Sequence, residues 1–282
     1  MLTAAKIELE SLVKIKLPPL PGSVLRISSL LQDYNVSQRK IAEAIGFDPM
    51  LASRVLRLVN SPIYPFQGNV TSLTTAVNAL GNRTIYEMVL MTIVADTFGR
   101  EIRNSVIGRD IWLHSLAVAF GARELCDVLE MRGTEESFSC GLLHDIGSLL
   151  LCRADSAVYS EIFHQSERHD LQTMERAVYG FDHAKVGGLA AERWRLSEPV
   201  CMTISFHHNP ADAPQALFMT HIINVADNLA YLKNEKMPLG EAFLNSDSVH
   251  RLGLTEEMLE RVWDKILFQI REVIRAFFAG GN

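Results

Sequence analysis

An all-α fold is predicted by three features of this 282-residue chain. Apolar residues recur at helical spacing almost everywhere, no stretch sustains strand-like alternation between hairpin turns, and capping residues punctuate the apolar runs at helix-length intervals. The length suffices to bury a substantial core without crosslinks. Cys126, Cys140, Cys152 and Cys201 show no CxxC spacing and sit among apolar neighbours, so they read as buried reduced thiols, which points to a cytoplasmic setting. The opening MLTAAKIELESLVKIK scatters charge through its apolar positions and lacks a signal-peptide core. No later run reaches the ~18 apolar residues of a spanning helix, so a soluble protein without a membrane partner is expected. A net charge of -6 gives no general attraction to polyanions.

In chain order, Pro18, Pro19 and Pro21 break an opening helix, and Gly22 and Ser23 lead into VLRISSLL. Ser37 caps QRKIAEAI, Gly46 ends it, and Asp48 with Pro49 starts MLASRVLRLVN. SPIYPFQGN is a loop. Thr71 or Ser72 opens SLTTAVNAL, Gly81 closes it, and an apolar helix over about 83–98 ends at Gly99. The polar GREIRNSVIG suggests a boundary near 105, giving an N-terminal helical part (1–104), a helical core (105–235) and C-terminal helices (236–282). Within the core, helices are expected over DIWLHSLAVAFGARELCDVLE, over EESFSCGLLHDIGSLLLCR as one run, over about 156–168 and 171–179, over DHAKVGGLAAERW and EPVCMTISFHH, and over about 214–233. The tail TEEMLERVWDKILFQIREVIRAFF is amphipathic, with Thr255 as N-cap and Gly280 and Gly281 at its close. It either contacts a second copy or docks on the core, and docking is favoured.

Seven side chains stand out against this apolar background: His114, His144, Asp145, His183, His207, His208 and Asp227. His144 and Asp145 lie within CGLLHDIGSLLL, where two ionisable neighbours are costly to bury unless something pairs with them. A divalent cation supplies such a partner, and imidazole nitrogens with carboxylate oxygens suit Fe, Mn, Zn or Ni. Asp145 is placed to bridge two ions while His144 binds one of them. Asp110, four residues before His114, faces the same way on a helix and is an additional ligand candidate. Any one of these histidines alone is more often hydrogen-bonded core than ligand; the set carries the reading. His164, His169 and His250 read as surface, and His221 as a helix-face residue and weak site candidate.

The order His, His-Asp, His, His-His, Asp resembles the HD superfamily of metal-dependent phosphohydrolases, in the extended form of the HD-GYP phosphodiesterases. About residues 15–212 resemble the related HDOD family, through LPPLPGSVLRI, DPMLASRVLRLVNSPIY, SLTTAVNALG, the Trp112-Leu-His-Ser-Leu run, GLLHDIGSLLL, DHAKVGGLAAERWRLSEPV and FHHNP. The resemblance implies an HD-like helical bundle preceded by an N-terminal helical subdomain. It also implies one metal on His114, His144, Asp145 and Asp227 and a second on Asp145, His183, His207 and His208, with Asp110 where HD-GYP enzymes use a glutamate. Two departures bear on catalysis. HD-GYP enzymes follow the His-Asp pair with Gly-Lys, where this chain has Gly147-Ser148, and their Gly-Tyr-Pro signature is missing between His144 and His183. Position 148, one turn after His144, should face the site, so a cation for a phosphoryl oxygen is lost there. Lys185, Arg153 and Arg193 are the substitute phosphate binders, although Lys185 lies two residues from His183 and points away from the ligand face.

Three functions are compatible with these residues. The first is an HDOD signal-transduction module whose metal-binding pocket is structural or sensory and which binds a signalling protein or a nucleotide. The second is a dinuclear phosphohydrolase acting on a phosphate ester or cyclic dinucleotide, with Asp145 bridging and Lys185 orienting substrate. The third is nucleic-acid binding through the helix-turn-helix-like SQRKIAEAIGFDPMLASRVLRLVN. It is the weakest, because Glu43 and Asp48 dilute its charge and its second helix spends Leu51, Val55, Leu58 and Val59 on packing.

Overall fold

The computed structural model describes residues 8–10, 12, 17–18, 27, 30, 36–64, 68–131, 136–165, 168–214 and 217–278. The expected helix break at Pro19 to Ser23, most of VLRISSLL and the closing Gly280 and Gly281 lie outside them. The described residues are helical and contain no strand, as the periodicity predicts. Among them, no helix is long and apolar enough to cross a membrane.

The chain divides into two compact units, Met1–Pro18 with Phe98–Asp264, and Pro19–Thr97 with Lys265–Asn282. In the smaller unit, α1 (Gln38–Gly46) begins where Ser37 accepts the Lys40 N–H, and α2 (Pro49–Val59) where Asp48 accepts those of Met50 and Leu51. Asn60 then clamps the following loop, donating to Leu56 O and Val70 O and accepting from Val70 N. The run α3 (Leu73–Thr97) is interrupted at Gly81, whose φ of 76° is open to glycine at little cost, so the expected stop is present as a break between two helical pieces. Ile41, Ile45, Val55, Val59, Val77, Ile85 and Met88 form the buried core of this unit.

The larger unit begins with a correction. Gly99 opens a helix, α4 (Gly99–Asn104), instead of closing one, and Ser105 caps α5 (Val106–Val128) by accepting the Gly108 N–H. The division between the two units falls at 97/98. Its cause is local: Arg153 donates from Nε and Nη2 to the two Glu101 oxygens at 2.8 and 2.7 Å and stacks over Phe98 at 4.6 Å, tying α4 to the ligand-bearing unit.

The remaining helices are α6 (Ser137–Leu143), α7 (Ile146–Ala154), α8 (Ser156–Gln165), α9 (Arg168–Tyr179), α10 (His183–Arg193), α11 (Glu198–Phe206), α12 (Leu217–Asn234), α13 (Glu241–Leu244), α14 (Asp247–Arg251) and α15 (Glu256–Phe278). The single helix expected around His144 is two, α6 and α7, with Asp145 at the break (φ -101°, ψ 20°). α5 packs on α6 and α12, and α10 on α7 and α11. Phe120 and Phe138 meet edge-on at 5.4 Å in the first of these contacts. Thr255 caps α15 as expected, and Glu260 of α15 pairs with Lys233 of α12.

The α7 to α10 approach depends on a missing side chain. A Cβ on Gly147 would lie 1.9 Å from His183 O and 2.8 Å from Gly187 N, both backbone atoms that cannot swing aside. Gly147→Ala is therefore expected to force α10 outward and cost about 1–3 kcal/mol or more, read as a lower urea midpoint at unchanged m-value.

The Glu101–Arg153 pair gives a pH-dependent expectation. Burial pushes Glu101 up, but the hydrogen bonds and charge of Arg153 prevail and hold its carboxyl below the usual range. Its stabilisation is therefore complete above the unfolded carboxylate range and is lost as pH falls through the lowered folded value. Arg153→Met should cost about 1.5–3 kcal/mol at neutral pH. The gap from wild type, followed by urea unfolding at stepped pH, should narrow in the acid range.

Candidate metal centre

Two helix ends use the same local device to aim an imidazole. His144 closes α6 and its Nδ1 donates to Gly141 O at 2.7 Å; His207 closes α11 and its Nδ1 donates to Ile204 O at 2.7 Å. Each bond satisfies a carbonyl at a helix end and turns Nε2 away from the helix. Asp145 heads α7 without capping it, unlike Asp48 and Asp182, whose carboxylates accept N–H groups of their own helices. Its oxygens are thereby left to other partners. His183 is the first residue of α10, placed by Asp182, which accepts the Lys185 N–H and is gripped by Arg176 at 2.7 Å.

These side chains converge. Asp145, His183, His207 and His208 each offer a ligand atom within 4.8 Å of the others, and so do His114, His144 and Asp227. Asp145 links the groups: its Oδ2 is 3.4 Å from His144 Nε2, and its Oδ1 is 3.3 Å from His183 Nε2 and 3.6 Å from His207 Nε2. Asp227 Oδ1 lies 2.8 Å from His114 Nε2 and 3.5 Å from His144 Nε2. All seven sequence-designated ligands thus fall into two adjoining clusters. Asp110 is exposed and Lys185 is exposed on α10, and neither is a member of either cluster among the described residues. His221 is buried outside both, paired through Nδ1 with Ser248 Oγ, which in turn donates to Asn224 Oδ1. Asn224 donates to His207 O at 2.8 Å, bracing that residue through its backbone.

The donor set fits a cation on two grounds. His144 Nε2, His207 Nε2 and Asp145 Oδ1 are buried with no hydrogen-bond partner, although each faces other ligand atoms. Their protons are also already in competition. Burial lowers the affinity of His144 and His183 for a proton, but Asp145 with Asp227 for the first, and Glu175 with Asp145 for the second, raise both well above the ordinary imidazole range. Asp145 is held well below the carboxylate range against its burial, by His144 and His183, while burial keeps His207 low. Such a cluster could exchange its shared protons for a divalent ion.

Sequence reasoning passed over Glu175, which is completely buried on α9 and accepts the His183 backbone N–H at 2.9 Å while meeting its Nδ1 at 2.7 Å. Nothing in RHDLQTMERAVY marks one glutamate as buried. Ser148 is buried and brings no charge to the region where the comparable enzymes carry a lysine. Of the substitute phosphate binders, Arg153 is engaged by Glu101 and Arg193 is exposed.

The chain is similar to an uncharacterised protein of Treponema pallidum (strain Nichols), at 29% identity over 206 residues, which span 71% of this chain and 39% of that protein. It is similar in fold to an HDOD domain protein of unknown function from Geobacter sulfurreducens, at TM-score 0.79 and 23% identity, covering 96% of this chain and 98% of that one. A candidate phosphohydrolase from Shewanella amazonensis SB2B superposes with TM-score 0.75 at 24% identity, covering 94% and 97%. At such identities these two likenesses concern the fold. The HDOD domain model matches residues 17–210, which include six of the seven cluster residues and leave Asp227 just beyond, and the chain belongs to the HDOD family.

Proposed function

We propose that this chain is an HDOD regulatory module that holds two divalent transition-metal ions, one on His114, His144 and Asp227 and one on His183, His207 and His208, with Asp145 shared. The carrying observation is the set of buried donor atoms without hydrogen bonds, His144 Nε2, His207 Nε2 and Asp145 Oδ1, directed at one another. The donors come from α5, the α6/α7 break, the start of α10, the end of α11 and α12, so bound metal would tie five segments of one unit together. The surface those helices offer to a signalling protein or a nucleotide then depends on occupancy. Fe, Mn, Zn and Ni all suit this donor set.

Phosphate-ester hydrolysis is the second reading, and one observation favours it. His114 and Asp145 retain 14% and 18% side-chain exposure, so the clusters are not sealed as a purely structural metal site is. When bound, a metal pair supplies Lewis acidity and a water nucleophile at neutral pH. Against this reading, Ser148 carries no charge, Arg153 is neutralised by Glu101, and Lys185 is exposed outside both clusters. The positive charge that would steady a leaving phosphate is therefore missing from the residues proposed to supply it.

Protein purified anaerobically without chelator is expected to carry about two equivalents of transition metal, a stoichiometry set by the paired clusters. The His144→Ala, Asp145→Ala double variant should lose that metal. Stripping wild type should lower Tm by roughly 5–10 °C, the equivalent of ~2.7 kcal/mol at about 100-fold excess of metal over Kd. Metal content unchanged by the double variant would overturn the assignment. Metal-dependent turnover of phosphoesters, abolished in the same variant, would move the conclusion to the hydrolase reading.

A further inference from the structure

Glu175 has no place in either ligand cluster, yet it is the most thoroughly enclosed carboxylate near them, at 0% exposure. Burying a carboxylate costs several kcal/mol unless its oxygens are satisfied. Here both are. Oε1 accepts the Tyr159 hydroxyl at 2.8 Å, and Oε2 accepts the His183 backbone N–H at 2.9 Å and lies 2.7 Å from His183 Nδ1. A chain of buried polar groups therefore runs from Tyr159 of α8 through Glu175 of α9 to His183, the first residue of α10. With both oxygens already accepting, the Nδ1 contact is a donation from His183. That fixes its tautomer and leaves Nε2 as the atom turned to Asp145 Oδ1 at 3.3 Å and His208 Nε2 at 2.8 Å.

The other two fully buried ligand imidazoles are backed differently. His144 and His207 donate Nδ1–H to the carbonyls of Gly141 and Ile204. A carbonyl orients a ring as well as a carboxylate does, so orientation alone does not explain a carboxylate buried behind His183. The remaining difference is charge. A carboxylate hydrogen-bonded to the far nitrogen makes an imidazole a more basic ligand, and removing such a partner characteristically weakens metal binding by about 10–100-fold.

Resting on the metal reading above, we infer that Glu175 is a positioning residue that makes the Asp145–His183–His207–His208 cluster the tighter of the two metal subsites, so that it fills first. Tyr159 belongs to the same device: its hydroxyl donates to Glu175, and Glu175 in turn holds His183. The two subsites then respond to different metal concentrations. One remains occupied while the His114–His144–Asp227 subsite loads and empties.

The test is a titration of the chelator-stripped full chain with Co2+, followed by calorimetry and by the visible absorption of the bound ion. Wild type should bind in two resolved steps, and His183→Ala should remove the tighter one. Glu175→Gln keeps an acceptor for the ring but removes the charge. It should weaken that same step by roughly 10–100-fold and leave the other within about 2-fold, so that the order of filling narrows or reverses. Tyr159→Phe should weaken the same step by a smaller factor, and it carries the test if Glu175→Gln fails to regain wild-type helicity. Unchanged affinities in both variants, an equal fall in both steps, or a tighter step that survives His183→Ala would overturn the inference while leaving the metal reading intact. Wild type that binds no Co2+ would overturn the metal reading and this inference with it.

Discussion

Everything in the larger unit is arranged around one electrostatic problem, the burial of Asp145 among imidazoles. Its carboxylate faces His144 on one side and His183 and His207 on the other, at 3.3 to 3.6 Å, close enough for strong coupling and too far for good hydrogen bonds. Proton sharing answers the problem only in part. His144 and His183 are pulled towards the charged form by their carboxylate neighbours, and His207 towards the neutral one chiefly by its burial, with the charge of His144 adding to it. A divalent ion removes the conflict by neutralising the carboxylates while asking each imidazole only for its lone pair. The helix break at Asp145, the glycine contact beneath His183 and the backing groups behind His183 and His207 all serve to hold donors in a place they would otherwise avoid.

Much of this was legible in the sequence. The caps at Ser37, Asp48 and Thr255 are stereochemical signals that survive without tertiary context, and so is the stop at Gly81, where an L side chain would be strained. The clustering of the seven candidate ligands was legible because ionisable groups in apolar runs are improbable unless paired. The break between α6 and α7 was not, since the apolar periodicity runs through Leu142, Leu143, Ile146 and Leu149 without pause. In the fold the two pieces pack on different helices, α6 mainly on α5 and α7 mainly on α10. Gly99 was misread for a related reason: glycine marks a discontinuity but does not say which helix it belongs to, and here the Arg153–Glu101 pair decides.

Depth is what spacing reports least well. Asp110 and His114 share a face of α5, yet Asp110 is exposed in the first turns while His114 sits one turn deeper against Asp227. Glu175 shows the opposite failure. It lies in the polar α9, whose Asp170 and Arg176 are solvent-facing or half-exposed, and its burial follows from where α8 and α10 lie. Burial of a single charged residue in a polar helix is a property of its neighbours, and no local pattern encodes it.

The choice between a regulatory and a hydrolytic role turns on what lies around the ions more than on the ligands. A phosphoryl group in transfer carries negative charge that two cations offset incompletely, which is why a lysine or arginine commonly assists. In this chain the residue nearest that task by sequence, Ser148, carries no charge, and Arg153 is engaged by Glu101. The Arg153–Glu101 pair commits that guanidinium to holding α4. On the proposed metal reading, a site without that assisting charge suits a module whose metal state is the signal better than one whose turnover is the product.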